Sequence, residues 1–574
     1  MNDEKRVTYF GIADARNQER KFGMYDEDRL RHVYAIGKTG MGKSTLLENM
    51  AIQDIQNGNG LAFLDPHGKT VDLLMEHVPE HRIKDVIYIA PFDLEHPVAF
   101  NVLEDVDGDA GGEPDPVRRQ LIVSGLMSTF KKLWQDQWSA RMEYILNYTL
   151  LALLEIPDAT LLDVNRMLSD KQFRNSVISR LKEPTVKMYW EKEFAGYTDK
   201  VVAEATPAIQ NKVGQFISNS LIRNIIGQTK SSFDIRKAMD EKKILLINLS
   251  IGRIGEDAVN LLGSLFVTKI YLAAMSRATV PDREMKKLPN FYLYVDEFQN
   301  FTNDSFAQIL AQARKYKLSL IVAHQYVKQM TEVVHDAIFG NVGTMIVFRV
   351  GADDGEALEK EFQPTFVVED FVNLGRFQMY LKLMIDGVTS GAFSAKSMGP
   401  WPEPATNYVD QIIESSRKLY THSRKEVEEH ILKWTLGGGA QEKPQEKQQE
   451  RTHAPATAQS YIPRNNNHSV EQPRRDYSAQ QHGPRREQSS HPIHTNHVAQ
   501  YPQRDRVHHD TPRQDHSQQQ APQKVHNPFA TAFKAVQTEA VVKKEEHQPE
   551  VVAQPKPRRK NVDPGVLKDV LGLE

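Results

Sequence analysis

Apolar residues in the first part of the chain follow two habits. Short continuous runs at Val33–Ile36, Leu61–Leu64 and Val86–Ala90 are closed by Gly37, by Asp65-Pro66-His67-Gly68 and by Pro91. Between them, apolar residues fall at helical spacing: Leu47, Met50, Ala51 and Ile55, ended by Gly58, and then Val71–Val78. Continuous β-prone runs alternating with one-faced helices predict parallel strands covered on both sides. Val7–Ile12 and Lys21–Tyr25 predict a small β-element ahead of them. From Val117 to about Asp240 the pattern is helical throughout, with Met127–Phe130, Tyr144–Leu154 and Val177–Leu181 carrying the apolar positions. Strand patterns resume at Ile244–Leu249, Phe291–Val295, Leu318–His324 and Met345–Arg349, interleaved with helices at Ala258–Met275 and Phe306–Arg314. Phe377–Ile385 and Gly391–Lys396 read as a closing hairpin, and Tyr408–Trp434 as one long charged helix.

After Gly437-Gly438-Gly439 the periodicity stops. The next 120 or so residues are rich in Gln, Pro, His, Arg and Ser and cannot bury enough apolar surface to offset chain entropy. The chain ends in a candidate helix, with Asp563 as cap, Pro564 at its first position and Val566, Leu567, Val570 and Leu571 along one side. Such a piece suits a docking peptide for a protein partner. The expected divisions are an α/β core at 1–116 and 241–400, an inserted all-α subdomain at 117–240, a helix at 401–436, a disordered linker at 437–562 and a terminal helix at 563–574.

Composition narrows the setting. With no cysteine among 574 residues, disulfides and thiolate metal sites are excluded, and a reducing cytoplasm fits. Tyr144–Ile156 and Leu261–Met275, the latter interrupted by Lys269, fall short of the ~20 apolar residues of a bilayer span. No transmembrane segment is therefore expected. The net charge of −3 does not mark a nucleic-acid binder, so any DNA contact must be local. Basic residues of the helical region (Arg118, Arg119, Lys131, Lys132, Arg141) could meet phosphates or simply face solvent. Asp105, Asp107 and Asp109 have calcium-loop spacing, but Ala110 and Pro116 stand where such a loop needs Gly and Glu.

The chemistry is concentrated in Val33–Thr45. A strand runs into Gly37, Lys38, Thr39, Gly40, Met41, Gly42, Lys43, Ser44 and Thr45, the G-x-x-x-x-G-K-[ST] spacing of a phosphate loop, and a helix follows. The glycines allow main-chain N–H groups to converge as an anion nest, and the helix start adds its dipole. Lys43 then serves the terminal phosphates of ATP and Ser44 ligates Mg²⁺. The strand Phe291–Val295 delivers Asp296 and Glu297 at its C-terminal end, where ligands bind in open α/β sheets. Asp296 is the second metal ligand, and Glu297 the group that activates water. Asp65 ends another strand and either organises metal or water or caps the next helix. Gln325 follows the strand Leu318–His324 and either senses the γ-phosphate or satisfies buried backbone. Transfer also calls for a cation on the phosphoryl oxygens, for which Arg314 and Arg349 are the candidates.

Five pieces in this order, GKTGMGKST, LAFLDPHG, YLYVDEFQNF, QARKYKLSLIVAHQ and GTMIVFRVG, resemble the HerA/FtsK-type ATPases. They are especially similar to the cytoplasmic motors of TraG/TraD-type conjugative coupling proteins of type IV secretion, over roughly residues 7–435. The resemblance implies a RecA-like fold, a homo-oligomeric ring, usually a hexamer, and ATP-driven movement of DNA through its channel. It assigns Arg314 as a finger acting on a neighbour and Gln325 as the sensor. The chain departs from that family in showing no N-terminal membrane helix, so recruitment to a membrane would need a partner, and in carrying Lys69 where an acidic residue is usual. Rival readings are a soluble HerA-like DNA-repair translocase, a secretion-assembly ATPase acting on protein, and a nucleotide-gated scaffold.

Overall fold

The computed structural model describes residues 6–15, 18–104 and 116–436. The acidic loop at 105–115, the linker at 437–562 and the terminal helix at 563–574 lie outside the described residues. Thirteen strands form in chain order: β1 Val7–Ala15, β2 Gln18–Tyr25, β3 Val33–Ile36, β4 Gly60–Asp65, β5 Val86–Ile89, β6 Ile244–Asn248, β7 Phe291–Val295, β8 Leu318–His324, β9 Thr344–Val347, β10 Gln378–Lys382, β11 Met384–Ile385, β12 Val388–Thr389 and β13 Phe393–Ser397. Eleven of them make one sheet in the order β2-β1-β13-β10-β9-β3-β8-β7-β4-β6-β5, while β11 and β12 pair at the tip of the β10–β13 hairpin. From β9 to β5 every pairing is parallel, and from β9 outward to β2 every pairing is antiparallel. This is a mostly parallel sheet with helices on both faces, the P-loop NTPase type of fold.

The continuous apolar runs now have a cause. Successive residues of a strand point to opposite faces. Tyr34, Ile36, Ala62 and Leu64 enter the core under the helix Glu256–Met275, and Val33, Ala35, Leu61 and Phe63 enter the core under the helices Lys43–Gln56 and Lys69–Glu76. Both faces are dry, so both must be apolar. Between Pro116 and Asp240 the described elements are all helical, and they share the core of the Glu256–Met275 face.

Two expectations change. The segment Glu256–Thr279 is long and apolar enough to cross a membrane, with mean hydropathy 1.5, whereas the apolar run expected from the sequence was Leu261–Met275, interrupted by Lys269. Of that window 89% is buried inside the fold, and Lys269 hydrogen-bonds the Glu104 carbonyl, so it is a core helix. The single helix expected over Tyr408–Trp434 is two helices, Val409–Tyr420 and Arg424–Leu436. Thr421 turns extended to bridge Val98, the His422 N–H donates to the Pro97 carbonyl, and Ser423 with Glu426 forms a reciprocal cap that starts the second helix. Trp434 then reaches the helical region, its Nε1 donating to Asp163 at 3.0 Å.

Beneath the far end of the Lys43–Gln56 helix lies a buried ion pair. Arg29 donates to both oxygens of Asp54, at 2.8 and 2.7 Å, and to Thr8 Oγ1 and the Tyr294 hydroxyl, while its guanidinium lies 3.8 Å over the Tyr292 ring. Neither ion is exposed to solvent. It joins the first β-hairpin, the phosphate-loop helix and β7. Asp54→Ala would leave an unpaired buried guanidinium and should cost about 3–5 kcal/mol in denaturant unfolding; a loss below about 1 kcal/mol would mean that water reaches the pair.

Candidate functional site

The parallel register brings the C-terminal ends of β3, β8 and β7 to one edge. Gly37 leaves β3 beside Phe348, so closely that a Cβ would sit 2.6 Å from the Phe348 Cβ. The Lys38 N–H donates to the Arg349 carbonyl at 2.8 Å, and the Gly37 N–H to the His324 carbonyl at 3.3 Å. The loop is thus pinned by β9 on one side and β8 on the other. Gly42, at φ +117°, turns the chain into the helix Lys43–Gln56. Lys38, Thr39, Gly40 and Ser44 are exposed, Thr45 is half-buried, and Met41 packs below. Beside the loop opens a cleft of about 550 Å³, lined by Lys38, Thr39, Gln325, Tyr326, Lys328 and Gly351–Asp354 at the start of the helix Ala352–Phe362.

Lys43 folds back so that its Nζ donates to the Gly37 carbonyl at 2.7 Å. Burial lowers its pKa, with Glu297 and Asp296 opposing that effect. Ser44 Oγ donates to Asp296 at 2.9 Å, joining the loop to β7. Asp296 is 5% exposed; desolvation pushes its carboxyl up, opposed by the Ser44 hydrogen bond. A buried carboxylate paired with a hydroxyl, beside a carboxylate neighbour, is a donor set that a small divalent cation fits.

Glu297 stands at φ +47°, a left-handed position that costs a non-glycine residue about 1–3 kcal/mol. Its two oxygens accept from two amides: Gln325 Nε2 at 2.8 Å and Gln299 Nε2 at 2.9 Å. Gln325 therefore reaches the site through Glu297. The Gln299 contact was not foreseen, because a Gln four residues past the strand carries no spacing signal of its own. Gln299 is in turn held from the helical region: the Lys132 ammonium donates to the Gln299 carbonyl at 2.7 Å and the Asn300 carbonyl at 2.8 Å. Lys132, expected to face phosphates or solvent, does neither; burial lowers its pKa to about 8.

The remaining candidates separate. Asp65 is 1% exposed and its oxygens accept from the N–H groups of His67, Thr70 and Val71, so it caps the helix Lys69–Glu76 rather than reaching toward a metal. Glu48, one turn after Ser44, accepts from the Thr70 hydroxyl at 3.1 Å; burial pushes its carboxyl up, opposed by that hydrogen bond and reinforced by Asp296 and Asp65. Arg349 flanks the phosphate loop of its own chain, through its carbonyl. Arg314 is exposed on the short 3₁₀ turn Ala313–Tyr316 that precedes β8, among Arg31, Asp28 and His32. Gln325 lies past the other end of β8, about 20 Å away for seven residues of strand. Arg314 cannot serve its own phosphate loop.

A phosphate loop, a hydroxyl–carboxylate pair and a clamped glutamate on a parallel sheet define a P-loop NTPase. The profile of the type IV secretion-system coupling protein DNA-binding domain matches residues 22–362, more than half of the chain, and the chain belongs to that family. Among solved structures, it is similar to the unbound bacterial conjugative coupling protein TrwBdeltaN70, with 13% identity, 71% of this chain and 94% of that one covered, and a TM-score of 0.48. The plasmid coupling protein TrwB in complex with the non-hydrolysable ATP analogue ADPNP gives 14%, 67%, 89% and 0.49. VirB4 of Thermoanaerobacter pseudethanolicus gives 14%, 72%, 99% and 0.45. No curated protein matches the sequence.

Lys132→Met keeps the aliphatic stem but frees the Gln299 loop. ATP turnover should fall about tenfold with little change in KM, and Lys132→Arg should restore part of it; an unchanged kcat would show that Glu297 needs no support from the helical region. Two buried histidines make the fold's stability depend on pH. His32 accepts from the Leu320 N–H at Nδ1 and meets the Leu310 carbonyl at Nε2, and burial lowers its pKa to about 4. His324, hydrogen-bonded to the Tyr34 hydroxyl at 2.5 Å, is lowered to about 3 by burial, with Lys43 adding to the effect. The unfolded chain binds these protons near pH 6.5, so stability present above that value is lost as pH falls. The expected slope is roughly 1.4 kcal/mol per pH unit for each histidine between about pH 6 and 4. Denaturant midpoints across this range, compared with those of His324→Gln, should show the shallower slope in the variant.

Proposed function

We propose that the protein is a Mg²⁺-dependent ATPase that moves DNA as a ring of identical subunits, in the manner of a type IV secretion coupling motor acting on the cytoplasmic side. The observation that carries this reading is the division of the machinery. Ser44, Asp296, Glu297 and Gln325 meet at one end of the sheet, and Arg314 stands at the other, free to enter a neighbour's site. Loop N–H groups between Gly37 and Thr45 would bind the phosphates, and Lys43 would leave the Gly37 carbonyl for the β- and γ-oxygens. Ser44 and Asp296 would hold the metal ion, which when bound offsets charge on the phosphoryl group. Glu297 would orient and deprotonate water, aimed by the amides of Gln299 and Gln325. Arg314 of an adjacent subunit would complete the charge balance, a contribution worth roughly 10³–10⁵ in rate. A reaction that requires a neighbour ties hydrolysis to ring geometry, which is what a translocating motor needs.

Turnover measured with and without single- and double-stranded DNA tests the reading. Strong, salt-sensitive stimulation is expected, and indifference to both would favour a protein substrate. Glu297→Gln should bind ATP and stall, losing about 10²–10⁴ in rate. Arg314→Ala and Lys43→Ala subunits, each inactive, should recover part of the activity when mixed. Intact rings without recovery would refute action across the interface.

A further inference from the structure

The phosphate loop has a second neighbour that no catalytic role uses. The turn Gly375–Gln378 sets Arg376 and Phe377 over it. Arg376 donates from Nε to the Gly40 carbonyl at 3.3 Å, with its guanidinium 4.7 Å from the centre of the Phe377 ring. Phe377 closes on Gly42, where a Cβ would lie 3.1 Å from the Phe377 Cδ1. Its ring is nevertheless 43% exposed.

The backbone there is at φ +65°. Among the described non-glycine residues with positive φ, the others are His32, Asp158, Lys242, Ser250, Glu297, Lys317 and Asp386, so Phe377 alone brings a large apolar side chain. A glycine would adopt this conformation without strain. The Gly375 N–H donates to Gln378 Oε1, and the Ser397 N–H to the Phe377 carbonyl, so the turn is held in place. Gly42 and Arg376 cover part of the ring and the rest faces solvent, so packing within the chain offsets the strain only in part. A strained position that keeps an apolar face open points to a ligand.

The order of strands says which part of a ligand. Asp296, Glu297 and Gln325 follow β7 and β8, on one side of β3; β9, β10 and the Arg376–Phe377 turn lie on the other. A triphosphate whose reacting end faces Glu297 must send its sugar and base the opposite way. The other exposed aromatic beside the loop, Tyr326, lies with Gln325 on the catalytic side. We propose that Phe377 is a shelf on which the base of the bound nucleotide stacks, with Arg376 bracing the ring against the loop. The inference rests on the reading that the triphosphate occupies the loop. A stacking face selects for ring area and not for hydrogen-bond pattern, so adenine and guanine nucleotides should bind alike.

Calorimetric titration of the full chain with Mg²⁺ and either a non-hydrolysable ATP analogue or inorganic tripolyphosphate separates the possibilities. Phe377→Gly should bind the analogue about tenfold more weakly, bind tripolyphosphate as the parent does, and melt at the same or a higher temperature when free. Phe377→Tyr should keep the affinity. Phe377→Leu, which retains the Cβ and the bulk, should lose it, and so serves if the glycine variant folds poorly. Parent-like affinity for the analogue in the Gly and Leu variants, or an equal loss for tripolyphosphate, overturns the shelf. A parent protein that binds neither compound overturns the loop reading itself, a distinct result.

Discussion

The hydrogen bond from Ser44 to Asp296 spans 252 positions of sequence and 2.9 Å of space. It can form only because β3 and β7 flank β8 in parallel, so that all three release their next residues at the same edge. The consequences follow in order. Asp296 is kept buried near a loop lysine, Glu297 is forced into a left-handed turn, and its carboxylate is left pointing along the sheet edge. There two amides fix it. Glu297 is positioned by backbone geometry first and by side chains second.

That edge is connected outward by two routes. Through Gln299, Glu297 is joined to Lys132 and so to the helical region, which places a donor on the main chain just past the glutamate. Through Tyr294 and Asp54, Arg29 ties β7 to the far end of the phosphate-loop helix. The two devices differ in character. The Arg29 pair is fully desolvated and satisfied on several sides, so it rigidifies. The Lys132 contact is a single charge-assisted link to carbonyls, and a small shift of its helix would loosen the glutamate without unfolding anything. Coupling between helical region and sheet has a physical carrier in that link.

Strain is distributed unevenly. Glu297 and Phe377 both hold positive φ, one on each side of the phosphate loop. Hydrogen bonds that belong to neighbouring turns maintain both, so the fold over-determines two conformations that the residues would not choose. The first aims a carboxylate; the second exposes a ring.

Local sequence sufficed where the physics is local. The anion nest needs glycines at fixed offsets, a strand before and a helix after, and all of these are written within Val33–Ile55. The buried strands declared themselves as continuous apolar runs because both faces of the sheet are covered. Where contacts cross the chain, the sequence was silent or ambiguous. Gln299 and Lys132 had no spacing to mark them, since their partners are main-chain carbonyls and a carboxylate whose turn conformation is not encoded by neighbours. Asp65 could cap or coordinate, and only the nearby helix start, with three N–H groups converging on it, decided for capping. Arg314 and Gln325 flank the same strand, and apart from the family resemblance a list of residues cannot say that one lies at the phosphate-loop edge and the other at the opposite edge. Strand order and strand direction decided that, because a rigid seven-residue strand holds its two ends apart.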